Sequence, residues 1–319
     1  VRRSGYRAEE RVSGLLRTGG VPAVLAELEA LTADHVFAVY VEQLLLQSDL
    51  SEDQAVALVE RARTRIDSDH YMAGILTALA DRHLTSPRGV DAFLAAAGTL
   101  ESDHYRAEVL GNALEHRTIS QAQVATLLDA VAGMESDHYV AQVLQSVAGR
   151  YFLDQGMRAT YLRAVRGVES DHYRAEILGA LLDRSDLGEG ELSDVLAAVS
   201  EMESDHYQTE LLKRFASDRL STDDLDRYLT VVARMKSDHY KSEALLHLSL
   251  MDLPDGHLRR VIGGVALMDS DHYKAALLVE LSKQDRVHDG PLYDAMLEAM
   301  DTIESRHSRG EVAERLLRR

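Results

Sequence analysis

The phrase Ser-Asp-His-Tyr starts at Ser68, Ser102, Ser136, Ser170, Ser204, Ser237 and Ser270, at intervals of 34, 34, 34, 34, 33 and 33 residues. Degenerate copies stand at Ala33-Asp34-His35-Val36 and Ser305-Arg306-His307-Ser308. A period of this length marks an array of supersecondary units that bury their apolar faces only by stacking, each touching its neighbours alone. The 319 residues are therefore expected to form one array, 1–319, rather than the two or so globular domains that length suggests. Its parts are a degenerate repeat over 3–32, eight tandem repeats over 33–304 and a half repeat over 305–319.

Ser102 to Glu135 shows what one unit contains. Tyr105, Val109, Leu110, Ala113 and Leu114 fall on one face of a helix, A. After a polar break, Val124, Leu127, Leu128, Val131 and Met134 repeat the pattern in a second helix, B. The fold class is all-α, an α/α superhelix or solenoid of two-helix repeats, with about ten A helices and nine B helices. Five places after the motif Ser stands a small residue (Ala73, Ala107, Ala141, Ala175, Thr209, Ser242, Ala275), as close helix approach requires. Eighteen places after it a cap is expected: Ser51, Ser86, Ser120, Asp154, Gly188, Thr222 and Asp255. Ser51 with Gln54 and Ser120 with Gln123 form capping boxes, and Pro87 follows Ser86 at the favoured first helical position. The motif Ser reads as the N-cap of helix A, with the Asp facing the positive end of the helix dipole. Two places before each motif an apolar residue (Ile66, Leu100, Met134, Val168, Met202, Met235, Met268) closes helix B, and the methionines among them read as core fillers.

The motif column comprises Asp69, His70, Tyr71, Asp103, His104, Tyr105, Asp137, His138, Tyr139, Asp171, His172, Tyr173, Asp205, His206, Tyr207, Asp238, His239, Tyr240, Asp271, His272 and Tyr273. Packed helices lie about 10 Å apart, whereas two histidines on one zinc need ring nitrogens within roughly 3 to 4 Å. Adjacent Asp and His on one helix also diverge. The column is therefore read as an interlocking structural seam in which each His donates to a neighbouring Asp or backbone carbonyl and each Tyr fills the wedge between A helices. Ligand contact is the secondary reading. Anion capture at the helix N-termini is disfavoured, because Asp67, Glu101, Glu135, Glu169, Glu203 and Asp269 precede the motifs. Protonating all fourteen histidines would carry the formal charge from -18 to -4, but neutral, silent seam histidines are the favoured reading. His83, His116, His247, His257 and His288 share no spacing and read as surface or helix-end residues.

A net charge of -18 argues against nucleic acid or anionic membrane as partner and favours a neutral or basic protein. The chain has no cysteine, so no disulfide framework or thiolate metal site is available. No apolar run approaches the ~20 residues of a membrane span, so direct insertion is not expected. No metalloprotease, nucleotide-binding or nucleophile-elbow motif occurs, and neither an enzymatic activity nor a cofactor is expected. Tyr6-Arg7-Ala8-Glu9 matches Tyr105-Arg106-Ala107-Glu108, as if the chain opened inside a decayed repeat, and a piece of a longer protein is expected.

Helix pairs with this period resemble the tetratricopeptide and HEAT-type α-solenoids over essentially the whole chain. Leu110-Gly111 and Leu178-Gly179 echo the tetratricopeptide pattern, while its Trp and closing Pro are missing. That resemblance implies a right-handed superhelix with a long concave partner-binding face. The motif also resembles Ser-Asp-Tyr-type repeats appended to some bacterial membrane zinc peptidases related to β-lactam sensors. This second likeness implies a soluble appendage without the peptidase's zinc motif.

The leading expectation is a non-enzymatic protein-binding or scaffold module, cytoplasmic or periplasmic. Its partner would meet variable polar positions of helix A: Asn112, Glu115, Gln145, Lys213 and Arg214. The alternative is an extracytoplasmic sensor domain of a membrane receptor or peptidase, binding a small ligand or responding to pH. Exposed ends of such an array also favour end-to-end self-association.

Overall fold

The computed structural model describes residues 5–83, 86–116, 119–151, 153–184, 189–215 and 220–317; the side chains of 81–83, 116 and 189 fall outside that description. The expected cap at Gly188 and the side chains of His83 and His116 therefore lie outside the described residues. Every regular element among the described residues is helical. Two compact units are present, Val1–Val168 and Glu169–Arg319.

In the first unit α1 (Ala8–Leu28) is followed by four hairpins: α2 (Asp34–Gln47) with α3 (Glu52–Arg65), α4 (Asp69–His83) with α5 (Pro87–Ala97), α6 (Asp103–His116) with α7 (Gln121–Val131), and α8 (Asp137–Arg150) with α9 (Gln155–Gly167). Gly20, at φ 64° and ψ -163°, breaks α1 into an A-type and a B-type half. That backbone conformation is open to glycine and strained for other residues. In the second unit the hairpins are α10 (Asp171–Leu182) with α11 (Glu189–Ser200), α12 (Asp205–Leu212) with α13 (Thr222–Arg234), α14 (Asp238–Ser249) with α15 (Asp255–Gly263), and α16 (Asp271–Leu281) with α17 (Gly290–Asp301); α18 (Arg306–Leu317) closes it. Counting the halves of α1 separately gives ten A and nine B helices among the described residues.

Within each unit the A helices pack on A helices and the B helices on B helices: α2, α4, α6 and α8 form one layer and α3, α5, α7 and α9 the other, and the second unit repeats the scheme. This is the tandem two-helix solenoid. Leu110, Ala113 and Leu114 from A helices and Val124, Leu127 and Leu128 from B helices fill the space between layers. Of the small-residue column, Ala73, Ala107, Ala141, Thr209 and Ala275 are buried. Among the methionines that close helix B, Met202, Met235 and Met268 are buried and Met134 is half-buried. Tyr161 and Tyr228 are fully buried, and their hydroxyls donate to the Leu144 and Ala244 carbonyls at 3.3 and 2.9 Å. Burial pushes the Tyr228 phenol well above its ordinary range.

The helix B caps form locally where expected at four positions. Ser51 and Ser120 make complete capping boxes, Ser86 accepts from Gly89 N and Asp154 accepts from Met157 N at 2.9 Å. Two expected caps are displaced by one residue: Ser221, not Thr222, caps α13, and Pro254, not Asp255, occupies the N-cap of α15. Both hairpins belong to the 33-residue repeats, and the missing residue falls in the turn before helix B, so the helix starts one place earlier.

The motif Ser residues depart from expectation differently. Ser136, Ser170, Ser204, Ser237 and Ser270 occupy the N-cap with extended backbone, but none of their side chains caps the helix. Ser120→Ala should therefore cost about 1 kcal/mol, and Ser136→Ala only a few tenths. Urea unfolding midpoints of the two variants check this difference.

Candidate functional site

Each motif Asp lies at the first position of an A helix, and Asp69, Asp103, Asp171, Asp205, Asp238 and Asp271 reach forward to the turn that opens the next one. One carboxylate oxygen of Asp103 accepts the backbone N–H groups of Glu135 and Ser136 at 2.8 and 2.6 Å. Asp171 does the same for Glu203 and Ser204 (2.8 and 2.7 Å), Asp205 for Lys236 and Ser237 (2.8 and 2.7 Å), and Asp238 for Asp269 and Ser270 (2.8 and 2.6 Å). Asp69 accepts from Ser102 at 2.5 Å, Asp271 from Glu304 and Ser305, and Asp34 of the degenerate copy from Asp67 and Ser68. Asp137 is likewise half-buried at the start of α8. The expected Asp-to-His pairing thus gives way to pairing with the backbone.

A second column, not anticipated from the sequence, works beside the first. Four places after the motif Ser stand Arg106, Arg174, Gln208, Lys241, Lys274 and Arg309, where other repeats place Met72 and Val140. Arg106, Gln208, Lys241 and Lys274 are buried. Arg106 donates to Leu100 O and, at 2.9 Å, to Gly133 O in the next turn; Lys241 reaches Leu267 O at 2.8 Å and Lys274 reaches Thr302 O at 2.9 Å. Lys241 also lies 3.3 Å from the Asp238 carboxylate, and Arg174 3.4 Å from Asp171. The signal in the sequence was the recurrence of one long polar residue between buried apolar columns. Burial pushes the Asp238 carboxyl up, but the N–H groups of Ser270 and Asp269 together with Lys241 outweigh it and hold it below its ordinary value of 3.8.

The histidines and tyrosines form a file on the surface. All seven motif histidines are exposed and all seven tyrosines half-buried. Five motif histidines pack on the Tyr of the following repeat: His70 on Tyr105, His104 on Tyr139, His172 on Tyr207, His206 on Tyr240 and His239 on Tyr273, with ring centroids 5.5 to 5.9 Å apart. His138, Tyr173 and His272 continue these files next to Tyr139, His172 and Tyr273. Tyr71 stacks edgewise on His70, whose Nδ1 lies 3.2 Å from the Tyr105 hydroxyl; the matching distance from His172 to Tyr207 is 3.4 Å. His172 and His239 face Glu176 and Glu243 one helical turn on, at 3.6 and 3.8 Å. Among the described residues no three His, Asp or Glu side chains converge as a metal-binding group.

The five expected partner-binding residues are scattered along the A layers. Lys213 bonds to Glu243 at 2.9 Å, which raises the lysine pKa and lowers that of the glutamate. Arg214 spans 3.0 Å to Asp183 and lies over Gly179, where a Cβ would clash with the guanidinium. These two residues stitch neighbouring A helices. Glu115 is exposed and its backbone carbonyl accepts from Arg150; Asn112 and Gln145 are half-buried. Of the remaining histidines, His247 is half-buried and burial lowers its pKa, His257 lies 3.4 Å from the Thr222 hydroxyl, and His288 sits between the carbonyls of Leu316 and Ser282.

A cleft of about 670 Å³ runs along the outer faces of α2 and α4 in the first unit. Ala38, Val39, Leu45, Leu46, Gly74, Ile75 and Ala78 line it, with His35, His70 and Tyr71 at one end and Glu42 as its carboxylate. Leu46 is 71% exposed. Six places after the motif Ser, other repeats carry Glu108, Gln142, Glu176, Glu210, Glu243 and Ala276 on the outer helix face. Here that position holds Val39 and Gly74, and a Cβ added at Gly74 would meet nothing within 4 Å. The groove is open and apolar because the usual acid is missing.

No family model matches this chain and no curated protein matches it. A solved structure described as "Computational Design of Self-Assembling Cyclic Protein Homooligomers" is similar over 93% of this chain and 97% of that one, at 13% identity and a TM-score of 0.14. So loose a likeness carries neither fold nor function, and no helix among the described residues is long and apolar enough to cross a membrane.

Asp103→Ala strips the Glu135 and Ser136 N–H groups of their acceptor and should cost about 1 to 3 kcal/mol, whereas His104→Ala, at an exposed ring, should cost under about 1 kcal/mol. Chemical denaturation of the two variants separates these outcomes. Because the folded Asp238 carboxyl titrates below 3.8, its contribution is complete above that pH and is lost as the pH falls through the folded value. The stability gap between wild type and Asp238→Asn should accordingly be widest at neutral pH and narrow below pH ~4, as measured by acid titration of the unfolding midpoint.

Proposed function

We propose that the chain is a non-enzymatic scaffold whose A-helix surface binds another protein, neutral or basic in character. The observation that carries this reading is the apolar groove on α2 and α4, with Leu46 71% exposed beside it. A surface leucine standing alone needs no explanation, but a contiguous apolar channel on a chain of net charge -18 has a solvation cost that a bound partner relieves. The seam supports the same reading from the other side. Backbone, Asp and buried cation hold the repeats together, so exposed positions of the A helices are free to differ.

Glu115 and Gln145 extend the same layer along α6 and α8 and belong to the proposed surface. Lys213 and Arg214 would serve it by fixing neighbouring A helices of the second unit. The seam residues, Asp69 through Tyr273, are proposed to act structurally, setting the spacing at which a partner is met.

A photoreactive amino acid placed at Leu46 or Gln145 of the full-length protein in its native cell should capture a discrete protein partner. The same probe at Arg63, exposed on α3 of the opposite layer, should not. Equal capture from both layers, or none from either, would overturn the proposal.

A further inference from the structure

We infer that the groove between α2 and α4 receives a short amphipathic helix carrying a basic residue that pairs with Glu42; this rests on the protein-binding reading above and specifies its partner. From His35 to Leu46 the groove runs eleven residues of helix, about 16 Å, between axes that packed helices hold roughly 8 to 10 Å apart. That footprint is several-fold smaller than the ~800 Å² per partner of a stable dimer. A second copy of the chain is thus a poor occupant, and a segment of about three helical turns is a good one. Shape agrees. The channel lies between two side-by-side helices, the arrangement into which a third helix packs by ridges and grooves, with apolar anchors at i, i+3 or i+4, and i+7. An extended peptide would find no strand edge here, since the described residues are helical on both sides.

Charge then selects among helices. Glu42 is exposed in a lining that is apolar apart from His35, His70 and Tyr71 at one end, and no ion pair to it is formed among the described residues. Glu210 and Glu243 of the second unit, by contrast, are matched from within by Lys213. A lysine or arginine flanking the apolar stripe of the incoming helix would complete Glu42 where the groove walls exclude part of the water, which strengthens the pair relative to one in open solvent. An acidic helix would meet Glu42 and the general field of the chain as repulsion.

Gly74 supplies a clean block. Its Cβ position faces open space, so Gly74→Glu restores the acid that other repeats carry there and covers the channel without crowding the fold. A displayed library of helical peptides about four turns long, with a fixed apolar stripe and randomised flanks, is selected on the intact wild-type protein and the binders measured by fluorescence anisotropy. The expected result is enrichment of lysine or arginine beside the stripe and an affinity that falls about tenfold or more with Gly74→Glu. Glu42→Lys should weaken the same binders and transfer preference to their glutamate counterparts. Binders indifferent to Gly74→Glu, or binders that keep their affinity on Glu42→Lys, would overturn the inference; so would a selection yielding no binder. If the photoreactive probe still captures a partner in those cases, the scaffold reading stands and only this site and its ligand fall. A failure of the probe at every A-layer position removes the reading itself.

Discussion

The fold depends on one interaction repeated along it: a carboxylate at the start of one A helix accepting the backbone N–H groups that open the next. A helix leaves its first N–H groups without internal partners, and the turn before it adds more. Here Asp103 takes those of Glu135 and Ser136, and Asp69, Asp171, Asp205, Asp238 and Asp271 do the equivalent. The same carboxylate lies in the first turn of its own helix, where the dipole favours negative charge. One group therefore satisfies two helix starts. This explains why the motif Ser takes the N-cap with an extended backbone and yet does not cap the helix through its side chain at Ser136, Ser204, Ser237 and Ser270: its N–H is the group being used.

The buried cations complete the arrangement from the carbonyl side. In the turn from α7 to α8, Asp103 holds the N–H groups while Arg106 donates to Gly133 O; from α15 to α16, Asp238 and Lys241 divide the work in the same way. Acceptor and donor stand three residues apart on one helix, so they lie on one face and neutralise each other where water is scarce. Removing either leaves a charge half-buried and a backbone group unmatched, which is why such a clamp is costly to break even when its net contribution is modest.

Local chemistry was legible in the sequence and distance geometry was not. Ser51, Ser86, Ser120 and Asp154 announce their helices because a cap acts within three residues. The one-residue shift at Ser221 and Pro254 follows from the shortened period, but only once the missing residue is placed in the turn before helix B. Whether Asp meets a histidine or an amide is decided by an ångström or two between separate helices, and no spacing rule contains that. The groove was readable in principle. Val39 and Gly74 interrupt a column of mostly acidic residues, yet a search for shared features passes over the place where the repeats disagree.

The division of labour between Asp and His bears on how such an array can change. Exposed ring pairs such as His104 with Tyr139 contribute at most about 0.5 to 1.5 kcal/mol each and tolerate loss, whereas the Asp-to-backbone clamp fixes where the next helix begins. A repeat can therefore lose its rings, as Ala33 to Val36 has lost its tyrosine, and still engage its neighbour through Asp34. Once the clamp and the apolar columns specify the stacking, a substitution on the outer face of an A helix alters the chemistry of the surface without altering the register. Val39 and Gly74, in two successive repeats, mark where that freedom has left an apolar groove, and the constancy of the seam is what allows the outer face of these repeats to differ from that of their neighbours while the stacking is kept.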